Sequence, residues 1–124
     1  MSIEANKTTV RRFVEMLDTN DLEALGDVLS PELAHALRGG IKTNGEHNVK
    51  ITDIVAEGDK VVAVMASSGV HAGDFEGIPA AGKSWTNTGA TVFRLENGKI
   101  VDITNFFDGL VVLHQLRTTM TSPA

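Results

Sequence analysis

The chain contains no cysteine. That one absence removes disulfides, thiolate nucleophiles and cysteine-bound metal together. There is no basic run either, and the net charge is −5 with a pI near 5.2. Nucleic acid and anionic membrane surfaces are therefore poor partners on electrostatic grounds. No apolar stretch approaches the roughly 20 residues that a membrane helix needs. The opening MSIEANKTTV has no hydrophobic signal core, so the expected location is cytoplasmic. No Gly-x-Ser-x-Gly elbow is present, which argues against serine hydrolysis. Gly69, Gly73, Gly77 and Gly82 precede no helix and make no phosphate loop. The four histidines have no two-His-plus-carboxylate spacing, so no metal site is expected. Internal repeats and low-complexity segments are absent.

What is present fits one domain of 124 residues, with 42% apolar and 22% charged residues. Val10, Phe13, Val14 and Leu17 fall at helical spacing and predict a helix from about Ile3 to Leu17. Asn20 with Glu23 reads as a capping box for a second helix, buried through Leu22, Leu25, Val28 and Leu29. Ser30-Pro31 stops it. Glu32 to Leu37 is expected to be a short strand carrying His35, and Arg38 to Asn48 a loop. Strands are predicted over Val49–Ala56, Lys60–Val70, Ser84–Leu95 and Lys99–Phe107. Glu57-Gly58-Asp59 makes the first hairpin. Asn97-Gly98 is the clearest turn signal, because that pair readily adopts the positive φ angles of a type I′ turn. His71 to Lys83 reads as a loop, and the tail from Thr118 as frayed. Helices succeeded by hairpin-linked strands make an α+β fold, with the helices on one face of a curved sheet.

The last strand and the apolar segment after it, KIVDITNFFDGLVVLHQL, organise the rest. Alternation puts Asp102, Thr104, Phe106 and Asp108 on one face and Val101, Ile103, Asn105 and Phe107 on the other. With one face against the helices, the face bearing Val101, Ile103 and Phe107 is expected to need cover from a second subunit, hence a homodimer. Asp108 comes after two phenylalanines. Held dry, its carboxyl would rise in pKa and become a usable base near neutral pH. Equally, Asp before Gly is a common turn and cap pairing, which leaves the side chain in water. His35 reads either as a structural histidine or as a site residue, and His71 as a solvated turn residue or a site residue. His47 and His114 are given no role. Trp85 begins a strand as core or pocket wall, Met16 and Met65 are packing, and Asn87 and Thr104 line a pocket if they point inward.

Three segments resemble the SnoaL-like polyketide cyclase (ester cyclase) family on the nuclear-transport-factor-2-like fold. ITDIVAEGDKVVAV is similar to the family's acidic hairpin, GVHAGDFEGIPAAGKSW to its loop of glycine, histidine and proline, and FRLENGKIVDITNFFDGLVVLHQL to its closing strand and helix. The likeness spans Leu22 to Leu116. It implies a conical barrel (the cystatin-like architecture) formed by residues 1–124 as a single domain, with a pocket between the concave sheet face and the helices. It implies that Asp108 is the general acid/base for an intramolecular aldol closure, with His71 and His35 as donor or orienting partners. Trp85, Thr104, Phe106 and Phe75 are then expected to contact an apolar, carbonyl-bearing ligand. No cofactor is called for, because removing a proton beside a carbonyl needs a base and an oxyanion donor only. The family's tryptophan four residues before the aspartate is Thr104 here, and the segment between Leu37 and Ile51 is short for the family. Three readings are open. The first is a cyclase or isomerase. The second is a hydratase or hydrolase in which the aspartate activates water. The third is a non-catalytic ligand-binding or dimerisation module, since fold does not fix function.

Overall fold

The computed structural model describes residues 2–19, 21, 23–40, 47–70 and 84–107. Helix α1 spans Ile3–Thr19, and a short 3-10 helix covers Glu23–Asp27. Helix α2 spans Pro31–Gly40. Four strands come next: β1 His47–Glu57, β2 Lys60–Val70, β3 Ser84–Glu96 and β4 Lys99–Phe107. They form one antiparallel meander in the order β1-β2-β3-β4.

Helix α1 buries Val10, Phe13 and Val14 of the expected stripe, with Leu17 partly buried and Met16 buried beside them. The ring of Phe13 meets that of Phe93 on β3 edge to face, with centroids 5.9 Å apart. Around this pair the core gathers Leu25, Val28 and Leu29 from the connection, and Val61, Ala63, Leu95 and Ile100 from the sheet. The end of α1 is tied to the sheet's edge. The Asp18 carboxylate accepts the Val49 N–H at 2.9 Å and the Lys50 ammonium at 2.8 Å.

The second predicted helix is only the single 3-10 turn Glu23–Asp27. Gly26 sits within it, at a cost to any longer helix. Leu29 has already left to bridge Ile100, with Ser30 N–H donating to the Ile100 carbonyl at 2.9 Å. Lys99 secures the connection by donating from Nζ to the carbonyls of Gly26 and Asp27. Asn20, the expected cap, and Leu22, the first residue of the expected apolar stripe, lie outside the described residues.

The strand expected over Glu32–Leu37 is instead helix α2. Ser30-Pro31 is a start as well as a stop. The Ser30 hydroxyl accepts the Leu33 N–H at 3.3 Å, its carbonyl accepts Ala34 N–H, and Pro31 takes the first helical position. Leu33, Ala34 and Leu37 then face the core.

The face assignment along β4 is also reversed. Leu95 pairs with Ile100 but Arg94 pairs with Asp102, so Val101 is an extra residue in a β-bulge. From there Phe93, 1% exposed, pairs with Ile103, and Thr91 pairs with Asn105. Ile103 packs against the core, and so the Ile103–Asn105 side of β4 is the side turned to the helices. Thr104 and Phe106 lie on the outer side. A subunit contact through Ile103 therefore loses its basis, and the large apolar side chains exposed on the outer side are Val55 at 57% and Phe106 at 59%.

Both hairpins form at their predicted residues. Gly58 turns the first with φ +59°; in the second, Asn97 and Gly98 have φ 51° and 80°, both positive as a type I′ turn requires.

Candidate functional site

The register resolves the sheet's inner face into rows across the strands. Ala56, Val61, Phe93 and Ile103 form one row, and Ile54, Ala63, Thr91 and Asn105 the next. Beyond them come Ile51, Met65, Gly89 and Phe107, then Val49, Ser67 and Asn87. Trp85 takes the position opposite Gly69. The first row is sealed core. Toward the C-terminal end of β4 polar side chains enter the rows: Thr91 and Asn105 in the second and, past the apolar third, Ser67 and Asn87 in the fourth. This polar end of an otherwise apolar concave face is where a small ligand finds both area and directional hydrogen bonds.

Thr91 and Asn105 make the best-defined contact there. Thr91 is 4% exposed, and its hydroxyl donates to the Asn105 Oδ1 at 2.8 Å. Asn105 itself is exposed. Beside this pair, Gly89 presents no side chain between Asn87 and Thr91 along β3.

The expected site residues divide into three groups. Asp108, His71 and Phe75 lie outside the described residues, as do most of the short segment after α2 and His114. Trp85 falls on the inner-face register of β3, and Asn87 is half-buried on that same face. Thr104 and Phe106 are on the outer face and exposed, so the structure does not bring them to the polar end of the inner face. His35 is on α2, not a strand, and its side chain is exposed on the helix's solvent side. Among the described residues, no three His, Asp or Glu side chains cluster as a metal site requires. Nor is any described helix long and apolar enough to cross a membrane.

Thr91 and Asn105 were not singled out from the sequence as site residues. A signal did exist. Asparagine is depleted in strands, and alternation between Ile103 and Phe107 calls for an apolar residue at position 105.

This architecture, helices packed on the concave face of a curved antiparallel meander, is the nuclear-transport-factor-2-like α+β fold. Within it the chain belongs to the SnoaL-like polyketide cyclase family, whose model matches residues 7–116. Solved structures with this fold include TsrD from Streptomyces laurentii, 27% identical, with TM-score 0.78 over 94% of this chain and 97% of that one. A SnoaL-like polyketide cyclase from Agrobacterium tumefaciens is 12% identical with TM-score 0.72 over 94% and 99%. An LEH-like epoxide hydrolase from M. tuberculosis is 16% identical with TM-score 0.73 over 97% and 95%. No curated protein matches the sequence.

Proposed function

We propose that the chain carries out general acid/base chemistry on a small apolar carbonyl compound, closing or isomerising it by proton transfer at the carbon beside the carbonyl. Asp108 is the base, and His71 donates to the oxygen on which negative charge develops. The observation that carries this reading is the group of polar side chains on the inner face near the end of β4: Thr91, Asn105, Ser67 and Asn87. The resemblance of the closing segment to the family's supports giving Asp108 this role. The reaction asks for no metal or cofactor, because a poised carboxylate and one donor suffice. His35 has no part in it, since its side chain is exposed on α2.

The test is Asp108→Asn, assayed by deuterium exchange at the α-carbons of a panel of cyclic ketones and diketones. Exchange should fall at least a hundredfold, the usual contribution of a positioned base, with the melting temperature unchanged. An unaltered rate refutes the proposal. A carboxyl carbon titration sharpens it: a raised Asp108 pKa marks a dry base, and the ordinary value near 3.9 a solvated acid.

A second reading shares the same residue. The likeness to an epoxide hydrolase favours Asp108 activating water rather than taking a carbon-bound proton. Exchange of labelled water into product separates the two. A binding-only module is distinguished by ligand affinity that survives Asp108→Asn while no turnover is found.

A homodimer belongs to this proposal, resting now on the outer face. Val55, Val62, Val92 and Thr104 lie in one row there, and Asp53, Val64, Ala90 and Phe106 in the next, apolar but for the acid at the β1 edge. The row Glu57, Lys60, Arg94, Asp102 at the hairpin end places two bases between two acids, a pattern that a two-fold copy can complement. Phe106→Glu should convert the dimer to monomer in sedimentation; a wild type that sediments as monomer overturns the assignment.

A further inference from the structure

Asparagine in the middle of a strand, on the face turned to the core, breaks the local pattern of β4. Such breaks gather at functional positions. Asn105 faces Thr91 across the β3–β4 pair, and the Thr91 hydroxyl donates to its Oδ1 at 2.8 Å. A buried threonine hydroxyl needs a partner, and Asn105 supplies one with its carbonyl oxygen. That bond fixes the amide's orientation and reserves Nδ2, with two N–H donors, for something else. Asn105 is exposed, so those donors are open to a ligand. Next to Thr91 on the same face is Gly89. A glycine inside a regular strand gives up β-propensity and side-chain packing, and often marks close approach of a ligand to the backbone. Gly89 lies between Met65 on β2 and the Phe107 position on β4. The inner face therefore combines a side-chain-free patch, apolar Met65 and one oriented amide donor.

We propose that Asn105, held by Thr91, is the specificity-determining residue of this chain: its Nδ2 donates to the carbonyl oxygen of an apolar ligand seated over Gly89. This names the polar group of the ligand and the residue that reads it. It rests on the proposed carbonyl substrate but not on Asp108 acting as a base. An amide donor selects a neutral acceptor oxygen over a bare hydrocarbon of the same shape, because only the former replaces the hydration of Nδ2 when the site closes.

The experiment is equilibrium binding of two fluorescent probes. One is the naphthyl ketone Prodan, whose emission moves to the red when its carbonyl accepts a hydrogen bond. The other is dimethylaminonaphthalene, the same ring system without the carbonyl. Wild-type protein should bind Prodan more tightly than the carbonyl-free analogue. Asn105→Leu should weaken Prodan about three- to tenfold, the span of one neutral hydrogen bond. It should shift the bound emission to the blue and leave the analogue's affinity unchanged. Thr91→Val, which frees the amide to rotate, should weaken Prodan by less and again spare the analogue. Gly89→Val should weaken both probes at least tenfold while the melting temperature holds or rises, since valine suits a strand.

No detectable Prodan binding to the wild type overturns the inference. So does an Asn105→Leu variant that weakens both probes equally or neither. Should Gly89→Val unfold, the Asn105 comparison still decides. Asp108→Asn separates the two ideas. Lost turnover with Prodan discrimination retained supports both. Unchanged turnover with discrimination retained refutes the base and keeps Asn105. Lost turnover with no discrimination in the parent protein keeps the base and removes Asn105.

Discussion

Replacing Asp18 isolates how α1 is fastened to the sheet. Its side chain is 16% exposed, and it accepts the Val49 N–H at 2.9 Å and the Lys50 ammonium at 2.8 Å. Strand β1 is an edge strand, and the Val49 N–H points off that edge to Asp18. Val49 is 8% exposed, so Asp18→Ala strands a nearly buried donor. A hydrogen bond to a charged acceptor contributes about 1.5–3 kcal/mol net. With an unfolding entropy of about 2.1 cal/mol/K per residue, 1 kcal/mol moves the melting temperature of this chain by about 4 °C. Asp18→Ala should therefore lower it by about 6–12 °C. Asp18→Asn keeps a neutral acceptor for Val49 and should lose about half as much. Lys50→Met removes an exposed ion pair and should have the smallest effect of the three. Calorimetry on the three variants gives the order. An Asp18→Ala variant within about 2 °C of wild type, or a Lys50→Met variant as damaging as Asp18→Ala, refutes the reasoning. The pair also has a pH signature. The hydrogen bond and charge of Asp18 raise the Lys50 pKa above 10.5. A base whose pKa is raised on folding contributes stability below its unfolded value and loses it as pH climbs through the folded one. Wild type should consequently lose more stability than Lys50→Met on going from neutral to strongly alkaline solution, and the two should run parallel below that range.

Other substitutions test the packing, the caps and the turns. Phe93→Ala empties the centre of the core and deletes the ring contact with Phe13, costing about 3–5 kcal/mol in urea unfolding. Ser30→Ala removes the acceptor for Leu33 N–H, and with it about 0.5–2 kcal/mol of α2's anchorage. Gly98→Ala forces a Cβ onto φ 80° in the β3–β4 turn and should cost about 1–2 kcal/mol, whereas Asn97→Gly should be close to neutral.

The elements that the sequence made plain were those governed by one local rule. The stripe Val10, Phe13, Val14, Leu17 admits only a helix, and Asn97-Gly98 admits little but a hairpin turn. Strands β2 and β4 run between the residues predicted for them, Lys60–Val70 and Lys99–Phe107. Where two local rules compete, the sequence pattern alone does not decide between them. Ser30-Pro31 ends one helix and begins another, and only the ending was read from it. The segment Glu32–Leu37 is too short for its apolar period to decide between strand and helix. The capping bond from Ser30 and the packing of Leu33, Ala34 and Leu37 decide it in the fold.

The face of β4 was lost for a different reason, and it bears directly on the site. Alternation is reliable only while register is unbroken, and a single extra residue inverts every assignment relative to the neighbouring strand. Val101 is that residue: across it, Ile100 and Ile103 both reach the core side although they differ in parity. The inversion moves Thr104 and Phe106 outward and brings Asn105 inward. Any residue at position 104 therefore stands on the outer face of this sheet. Thr104 is accordingly no loss to the inner face, whose polar character comes from Asn105, Thr91, Asn87 and Ser67. Alternation alone does not say which face of β4 meets the helices; the bulge at Val101, visible only in the pairing with β3, decides it and brings Asn105 in beside Thr91.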